Sequence, residues 1–232
     1  MLEILYDEGP CLVVNKPAGL LTQAPRGIDS LEIWVKSFYR QREGKQPDDN
    51  IYLGLAHRID RPVTGAIVFG RHARATRKLC TQFANRTVSK VYWALVEGQV
   101  SPGEGTWRDF LHKRSGLAQS EVVGADHPAA KLAILHYRVL WQGEQGSWLE
   151  IELETGRTHQ IRVQAASRGY TVRGDSQYGS TTPFGEQHLE VRDRGIALHA
   201  RRLGFTDPMS GAPVDIVAPL PAAWEALELP SM

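Results

Sequence analysis

The sequence predicts an α+β fold with a mixed, largely antiparallel central sheet flanked by helices and loops. Three observations lead to this prediction. Short apolar runs end in Gly, Pro or Asn, as strands commonly do. Helical patterns separate these runs without the regular βα alternation of a parallel sheet. Two longer strand patterns flank the Gly-containing segment 142–146, which is typical of a β-hairpin.

The first half of the chain alternates between strand and helix patterns. A buried strand is predicted over 11–15 and is ended by the segment 16–19, Lys-Pro-Ala-Gly. Asp29 and Glu32 have the spacing of a capping box, and the helix that follows ends near Gly44, with Leu31, Trp34, Val35 and Phe38 on its buried face. A strand over 66–69 precedes a helix over 72–86, for which we expect Leu79, Cys80, Phe83 and Ala84 inside and Arg74, Arg77, Lys78 and Arg86 outside.

The second half is richer in strand patterns. Strands are predicted over 91–96, 132–140, 148–153 and 196–205, and helices over 158–168 and 222–227. Gly169 closes the first of these helices. Segment 101–128 is rich in Gly, Ser and charge, so we expect an inserted loop or lid there.

Composition limits the classes of protein. The 232 residues are 42% hydrophobic and 23% charged, so we expect one globular domain over 1–232. No run approaches the ~18 apolar residues of a membrane helix, and the N-terminal residues lack the pattern of a secretory signal. The two cysteines, Cys11 and Cys80, form no CxxC pair, which favours a reduced, cytoplasmic setting. We expect a monomer.

Charge is distributed unevenly along the chain. The net charge is only +1, but the segment 57–90 contains eight basic residues and a single acid, Asp60. A concentrated basic region on a neutral protein favours a polyanionic ligand at one face. The excess of Arg over Lys suits phosphate binding, although a GC-rich genome produces the same excess.

Asp60 is the first candidate for chemistry. It lies in the segment 57–65, His-Arg-Ile-Asp-Arg-Pro-Val-Thr-Gly. Neighbouring guanidinium groups favour the ionised carboxylate, and an ionised carboxylate held in place can act as a nucleophile or a base. The structural alternative is an Asp that caps a turn and pairs with a neighbouring Arg.

Three other segments are weaker candidates when taken alone. Arg157 lies where a strand passes through Gly156 into a helix, and it either reaches a cleft or lies on the surface. Tyr92 lies on the strand after the basic helix, as a core residue or as an aromatic plate for a base. The segment 173–179, Arg-Gly-Asp-Ser-Gln-Tyr-Gly, is rich in turn formers.

The sequence contains no motif for a metal or a nucleotide cofactor. It has no HExxH, zinc-ligand spacing, acidic cluster, GxGxxG, P-loop or GxSxG. The eight histidines are scattered, and we interpret them as structural rather than as metal ligands. We therefore expect no metal and no cofactor. A hydrolase that uses His57 with Asp60 stays an alternative, without a nucleophile elbow or an oxyanion loop to support it.

Taken together, the segments resemble a known family. In chain order they are VVNKPAG (13–19), HRIDRPVTG (57–65), KVY (90–92), TGRTHQIR (155–162) and GDSQYG (174–179). This order resembles the RluA-type pseudouridine synthases, which isomerise uridine to pseudouridine in ribosomal or transfer RNA, and the resemblance extends from about residue 4 to residue 206. Ile59 and Thr64 stand where Leu and Ser are usual, and neither difference removes a reactive group. The chain begins at the first strand of the catalytic domain, so we expect it to lack the small N-terminal RNA-binding domain of many relatives.

The resemblance implies the pseudouridine synthase fold and a set of roles. Asp60 matches the essential aspartate, Arg157 the basic residue that pairs with it, and Tyr92 the aromatic residue that packs on the target base. Arg58 matches an arginine that helps to displace the base in some relatives. With the charge distribution, the resemblance implies RNA contacts at Arg58, Arg61, Arg74, Arg77, Lys78, Arg86, Lys90, His159 and Arg162. A non-catalytic RNA-binding protein of the same fold is the main alternative, and the helix over 72–86 could equally present a merely solvated face.

Overall fold

The computed structural model describes residues 2–46 and 48–227. In chain order the strands are β1 (Glu3–Glu8), β2 (Cys11–Lys16), β3 (Gly54–Leu55), β4 (Thr64–Gly70), β5 (Ser89–Val96), β6 (Glu104–Lys113), β7 (Ser120–Val123), β8 (Lys131–Gly143), β9 (Gly146–Leu153), β10 (Leu198–Thr206) and β11 (Pro213–Val217). The α-helices are α1 (Leu31–Arg42), α2 (Ala73–Ala84), α3 (Gln160–Ala166) and α4 (Ala222–Glu225). Among the residues described, no helix is both long enough and apolar enough to cross a membrane.

Packing divides the chain into two compact units where the sequence predicts one domain. The first unit contains residues 2–90, 189–193 and 200–220, and the second contains 91–188, 194–199 and 221–227. The chain passes from one unit to the other inside β5 and inside β10.

The first unit is built on the strands β1-β2-β4-β10, with β3 on β4 and β11 on β10. The pairing of β2 with β4 is antiparallel and runs from Cys11 opposite Gly70 to Lys16 opposite Gly65. Every residue of β4 is buried, which explains its continuous apolar sequence. Val13, Val68 and Leu79 belong to the core cluster that packs α2 against these strands.

The helices of the first unit differ in detail from the prediction. The N-cap of α1 is Ser30, whose hydroxyl accepts from Ile33 N, while Asp29 binds Ser30 N and Trp34 Nε1. The capping box predicted for Asp29 and Glu32 was therefore wrong by one residue.

The buried face of α2 is narrower than predicted. It contains Ala75 and Leu79, with Phe83 half-buried. Cys80 and Ala84 are exposed, so the inward positions predicted for them were wrong. The sheet therefore covers only a narrow stripe of α2, formed by residues that are four positions apart.

The second unit has the strand order β5-β9-β8-β6-β7, and all of these pairs are antiparallel. The predicted hairpin is present as β8 and β9, with a turn of only two residues between Gly143 and Gly146. The segment 101–128 is not an inserted loop, because it contains β6 and β7. Its many polar residues mask the strand pattern, in which Trp107 and Leu111 point inward. The predicted α+β fold with a largely antiparallel sheet is confirmed.

Candidate active site

Asp60 lies in the loop between β3 and β4, in the first unit. Its carbonyl accepts from Val63 N at 3.1 Å, which closes a turn around Arg61 and Pro62. Along 58–60 the chain exposes Arg58, buries Ile59 and leaves Asp60 half-buried. The buried Ile59 thus anchors the loop while its two neighbours reach the surface.

A single hydroxyl holds the backbone immediately before Asp60. Thr22 Oγ1 donates to Ile59 O at 2.9 Å and accepts from Ile59 N at 3.2 Å. Because Thr22 is itself buried, water does not compete for these bonds. Thr22 therefore fixes the backbone of Ile59 at both its carbonyl and its N–H, and with it the start of the Asp60 turn.

Lys16 holds the backbone immediately after Asp60. Its side chain is completely buried at the end of β2. Its Nζ donates to Leu20 O at 2.7 Å, Pro17 O at 2.8 Å and Arg61 O at 3.0 Å. Burial lowers the pKa of Lys16 to about 7, against the opposing attraction of the nearby Asp60 carboxylate. A buried ammonium group thus joins the segment 17–20 to the Asp60 turn.

Arg61 forms a second bridge between the same segments. Its Nε donates to Gly19 O at 2.7 Å, and its guanidinium pairs with Asp193 at 2.7 Å. Gly19 has φ +76°, and a Cβ there would lie 2.7 Å from Asp193 O, so only glycine fits. These contacts make Arg61 an internal bridge, and they do not support its predicted phosphate contact.

His57 is a structural residue of the same loop. Its Nε2 accepts from Val68 N at 3.1 Å, and its ring stacks on Phe83 at 4.4 Å. Burial lowers the pKa of His57 to about 3, and the charge of Lys90 adds to this effect. A neutral imidazole whose lone pair already accepts a backbone N–H is not available as a general base. The hydrolase alternative therefore loses its base.

Tyr92 and Arg157 lie in the second unit. Tyr92 is half-buried on β5, opposite Ile151 of β9. Arg157 precedes α3, and its Nε donates to Leu132 O at 2.9 Å, which fixes the plane of a half-buried guanidinium.

The buried Gln160 shapes the loop around Arg157. Its Oε1 accepts from Arg157 N at 3.0 Å and from Thr155 Oγ1 at 2.8 Å, and its Nε2 donates to Ile134 O at 3.0 Å. These bonds connect the end of β9, the Arg157 loop and β8.

The structure does not support a phosphate contact for Arg162. The side chain is only 3% exposed and pairs with Asp175, which is 2% exposed, through bonds of 2.6 and 2.8 Å. Its guanidinium also lies 5.0 Å from the ring centre of Tyr178. Amphipathic spacing cannot reveal such a pair, because α3 is buried from Gln160 to Ala165.

The other predicted RNA contacts differ in exposure. Arg58, Arg74, Arg77 and Arg86 are exposed, as is Lys78, whose Nζ donates to Pro208 O at 2.6 Å. Lys90 is half-buried, and burial lowers its pKa, with a further contribution from Arg86. His159 adopts a left-handed conformation with φ 54°, and its Nδ1 lies 2.9 Å from Tyr178 Oη.

Sequence reasoning assigned no role to Lys16, Thr22, Gln160 or Asp175, although three of them lie inside the quoted motifs. The sequence does contain one signal for Lys16, since it directly follows the buried strand predicted over 11–15. Within 2–46 and 48–227 no group of three or more metal-ligating side chains was found.

Comparison with known proteins identifies the family. The sequence model of a family described as RNA pseudouridylate synthase matches residues 10–167. A ribosomal large subunit pseudouridine synthase D of Pseudomonas aeruginosa is 36% identical over 228 residues, which cover 95% of this chain and 68% of that protein. An uncharacterized RNA pseudouridine synthase of Synechocystis is 32% identical over 232 residues, which cover 97% of this chain and 68% of that protein.

A solved structure gives the same fold. The human RNA pseudouridylate synthase domain containing 4 superposes with a TM-score of 0.76 at 22% identity, covering 99% of this chain and 95% of that one. This likeness confirms the pseudouridine synthase fold that the resemblance implied. Together with the match over residues 10–167, it places the chain in the RNA pseudouridylate synthase family, whose members are isomerases that convert uridine in RNA to pseudouridine.

Proposed function

We propose that this protein converts specific uridines of structured ribosomal or transfer RNA to pseudouridine, with Asp60 as its essential carboxylate. The observation that carries the proposal is the set of hydrogen bonds that fixes the backbone on both sides of Asp60. Thr22 holds Ile59, the residue before it, and Lys16 holds Arg61, the residue after it. The Arg61 side chain in turn binds Gly19 O. Such preorganisation suits a group that must act at one atom of a bound substrate.

The chemistry is an isomerisation with a balanced set of bonds. The C1′–N1 bond of uridine breaks, the uracil rotates, and C5 bonds to C1′. The C5 hydrogen then leaves as a proton, and N1 takes up a proton, so the product is an isomer of the substrate. Asp60 adds to the sugar or to the base, or assists removal of the 2′ proton, and each route requires only an ionised carboxylate. No step requires a metal or a nucleotide cofactor.

The target base must leave its stack before it can react, at a cost of a few kcal/mol. Stacking on Tyr92 contributes about 1–3 kcal/mol toward that cost. The exposed Arg58, Arg74 and Arg77 provide phosphate contacts in the first unit. Arg157, in the second unit, is a further residue that we propose to contact the RNA.

The protein is proposed to act as a cytoplasmic monomer on RNA. The relative from Pseudomonas aeruginosa is named as an enzyme of the large ribosomal subunit, which favours ribosomal RNA as the first substrate to test. No specific observation favours a non-catalytic RNA-binding protein. Such a protein would be expected to have lost Asp60 or Arg157, and both residues are present.

Pseudouridine mapping tests the proposal. Ribosomal and transfer RNA are compared from cells with the gene, without it, and with the gene restored as wild type or as Asp60→Asn. We expect at least one site to lose its pseudouridine on deletion and to regain it with wild type alone. Restoration by Asp60→Asn, or identical maps with and without the gene, would overturn the proposal.

A further inference from the structure

Glu97 accepts three hydrogen bonds immediately after β5, in the second unit. Its Oε1 accepts from Ser180 Oγ at 2.7 Å and from Thr182 N at 3.0 Å. Its Oε2 accepts from Thr171 Oγ1 at 2.7 Å. The two ends of the segment that carries Asp175 are therefore attached to one carboxylate.

The segment 174–182 is closed on itself beside Glu97. Gly174 N donates to Thr182 O at 2.9 Å and to Ser180 Oγ at 3.0 Å, and Ser180 N donates to Asp175 O at 3.1 Å. Because the Ser180 hydroxyl carries one hydrogen, which it gives to Glu97, its lone pairs remain available for Gly174 N. The backbone bonds close this loop, and Glu97 reinforces the closure by accepting from Ser180 Oγ and Thr182 N.

The same loop braces α3. Asp175 forms the buried pair with Arg162, and the hydroxyl of Tyr178 lies within hydrogen-bond distance of His159. Both contacts fall on the first turns of the helix that follows Arg157. The loop thus fixes α3 at two points close to the proposed site.

We propose that Glu97 is a positioning residue, which sets α3 and the Arg157 loop against the strand that carries Tyr92. Tyr92 and Glu97 lie on the same continuous stretch of chain, five residues apart. Glu97 therefore connects the β5 side of the proposed site to its α3 side. The inference deepens the proposed function and rests on it for its catalytic consequence.

Glu97 acts as an ion. Burial alone would raise its pKa, but the hydrogen bonds from Thr171, Ser180 and Thr182 lower it to about 2. The carboxylate is thus ionised throughout the pH range in which the enzyme can be assayed. A positioning role of this kind gives a variant whose defect is the same at pH 6 and at pH 8.

The variant Glu97→Gln tests the inference with little change of shape. The Gln side chain has one accepting oxygen and one nitrogen that cannot accept. The hydrogen bond from either Thr171 or Ser180 is therefore lost. Single-turnover pseudouridine formation is measured on an RNA fragment that contains a mapped target uridine, and RNA affinity is measured separately. Glu152→Gln, an exposed glutamate on the neighbouring β9, is the matched control.

We expect Glu97→Gln to slow the single-turnover rate by about 10- to 100-fold, as for a misplacement of about 1 Å. RNA affinity should stay within about twofold, since no phosphate contact is lost. Hydrogen exchange on the RNA-free protein should show faster exchange in 171–182, the segment attached to Glu97 at both ends. The control should match the wild type in all three measurements.

A second variant shows whether Glu97 acts through Asp175. The rate defects of Glu97→Gln and Asp175→Asn should not multiply in the double variant. Multiplying defects, or unchanged exchange throughout 171–182, would overturn the inference. The exchange measurement needs neither RNA nor activity, so it decides the role of Glu97 even if the proposed function fails.

Discussion

Replacing Lys16 by Met tests the buried hydrogen bonds that Lys16 makes beside Asp60, through the dependence of the unfolding free energy on pH. The unfolded chain holds a proton on this amine up to about its ordinary pKa of 10.5, whereas burial lowers the folded pKa to about 7. Between these values the unfolded state binds more protons than the folded state, so the stability of the wild type rises with pH. The Met variant lacks this titration.

The magnitude follows from the two pKa values. Each pKa unit corresponds to 1.36 kcal/mol. With values of 10.5 and about 7, the contribution of Lys16 to the unfolding free energy rises by about 2 kcal/mol between pH 7 and pH 9. The Met side chain also removes the donor that lies against three carbonyl oxygens, of which a neutral amine can serve two, at about 1–3 kcal/mol for each group left without its donor. We therefore expect the variant to be less stable at pH 9 and to recover part of the difference at pH 7.

The assay is urea unfolding of both proteins at pH 7, 8 and 9. The difference between them isolates Lys16, because other groups titrate in both, including Cys11, whose pKa is raised by burial to about 12. Lys113→Met, at the exposed end of β6, should shift stability by no more than about 0.5 kcal/mol. A difference between wild type and Lys16→Met that stays constant from pH 7 to pH 9 would refute the reasoning.

Three further predictions concern the RNA and the reaction. Replacing Arg74 and Arg77 by Ala should flatten the slope of log affinity against log salt by roughly 1.4–1.8, and an unchanged slope in a salt titration would assign this face of α2 to solvent. Arg157→Lys should unfold near the wild-type denaturant midpoint but lose most of its activity, because an ammonium lacks the planar fork and also the Nε–H that donates to Leu132 O; near-normal turnover would remove Arg157 from the site. Pseudouridine formation on a short unstructured or pre-annealed RNA should persist in excess EDTA, and strict metal dependence there would contradict the mechanism.

The strands and helices that the sequence predicts correctly are those with a single clear hydrophobic pattern. The strand 11–15 and the hairpin over 132–153 have long apolar patterns, and both are present in the structure. The strand β6 was missed because its exposed positions include Glu104, Arg108 and Lys113, and β7 because it is only four residues long. Cys80 is exposed because the sheet covers only part of α2. Helical spacing alone does not show how far the sheet extends over the helix.

Much of the candidate site could be recognised from motifs, but its internal contacts could not. The position of Asp60 in a turn follows from the Pro and Gly after it. The roles of Lys16 and Arg162 depend on burial and on tertiary partners that are 45 and 13 residues away. In a sequence both residues look like ordinary surface cations, whereas in the structure both side chains are buried.

Tritium release from RNA labelled at C5 of uridine tests the central claim most directly, because each isomerisation sends that hydrogen to water. The comparison is between wild type, Asp60→Asn and Asp126→Asn, an exposed aspartate in a turn of the second unit. We expect full release by wild type and by Asp126→Asn, and none by Asp60→Asn, which should bind the RNA equally well or more tightly because it has lost a negative charge. Release by Asp60→Asn above a few per cent of the wild-type rate would contradict the assignment of Asp60 as the essential carboxylate.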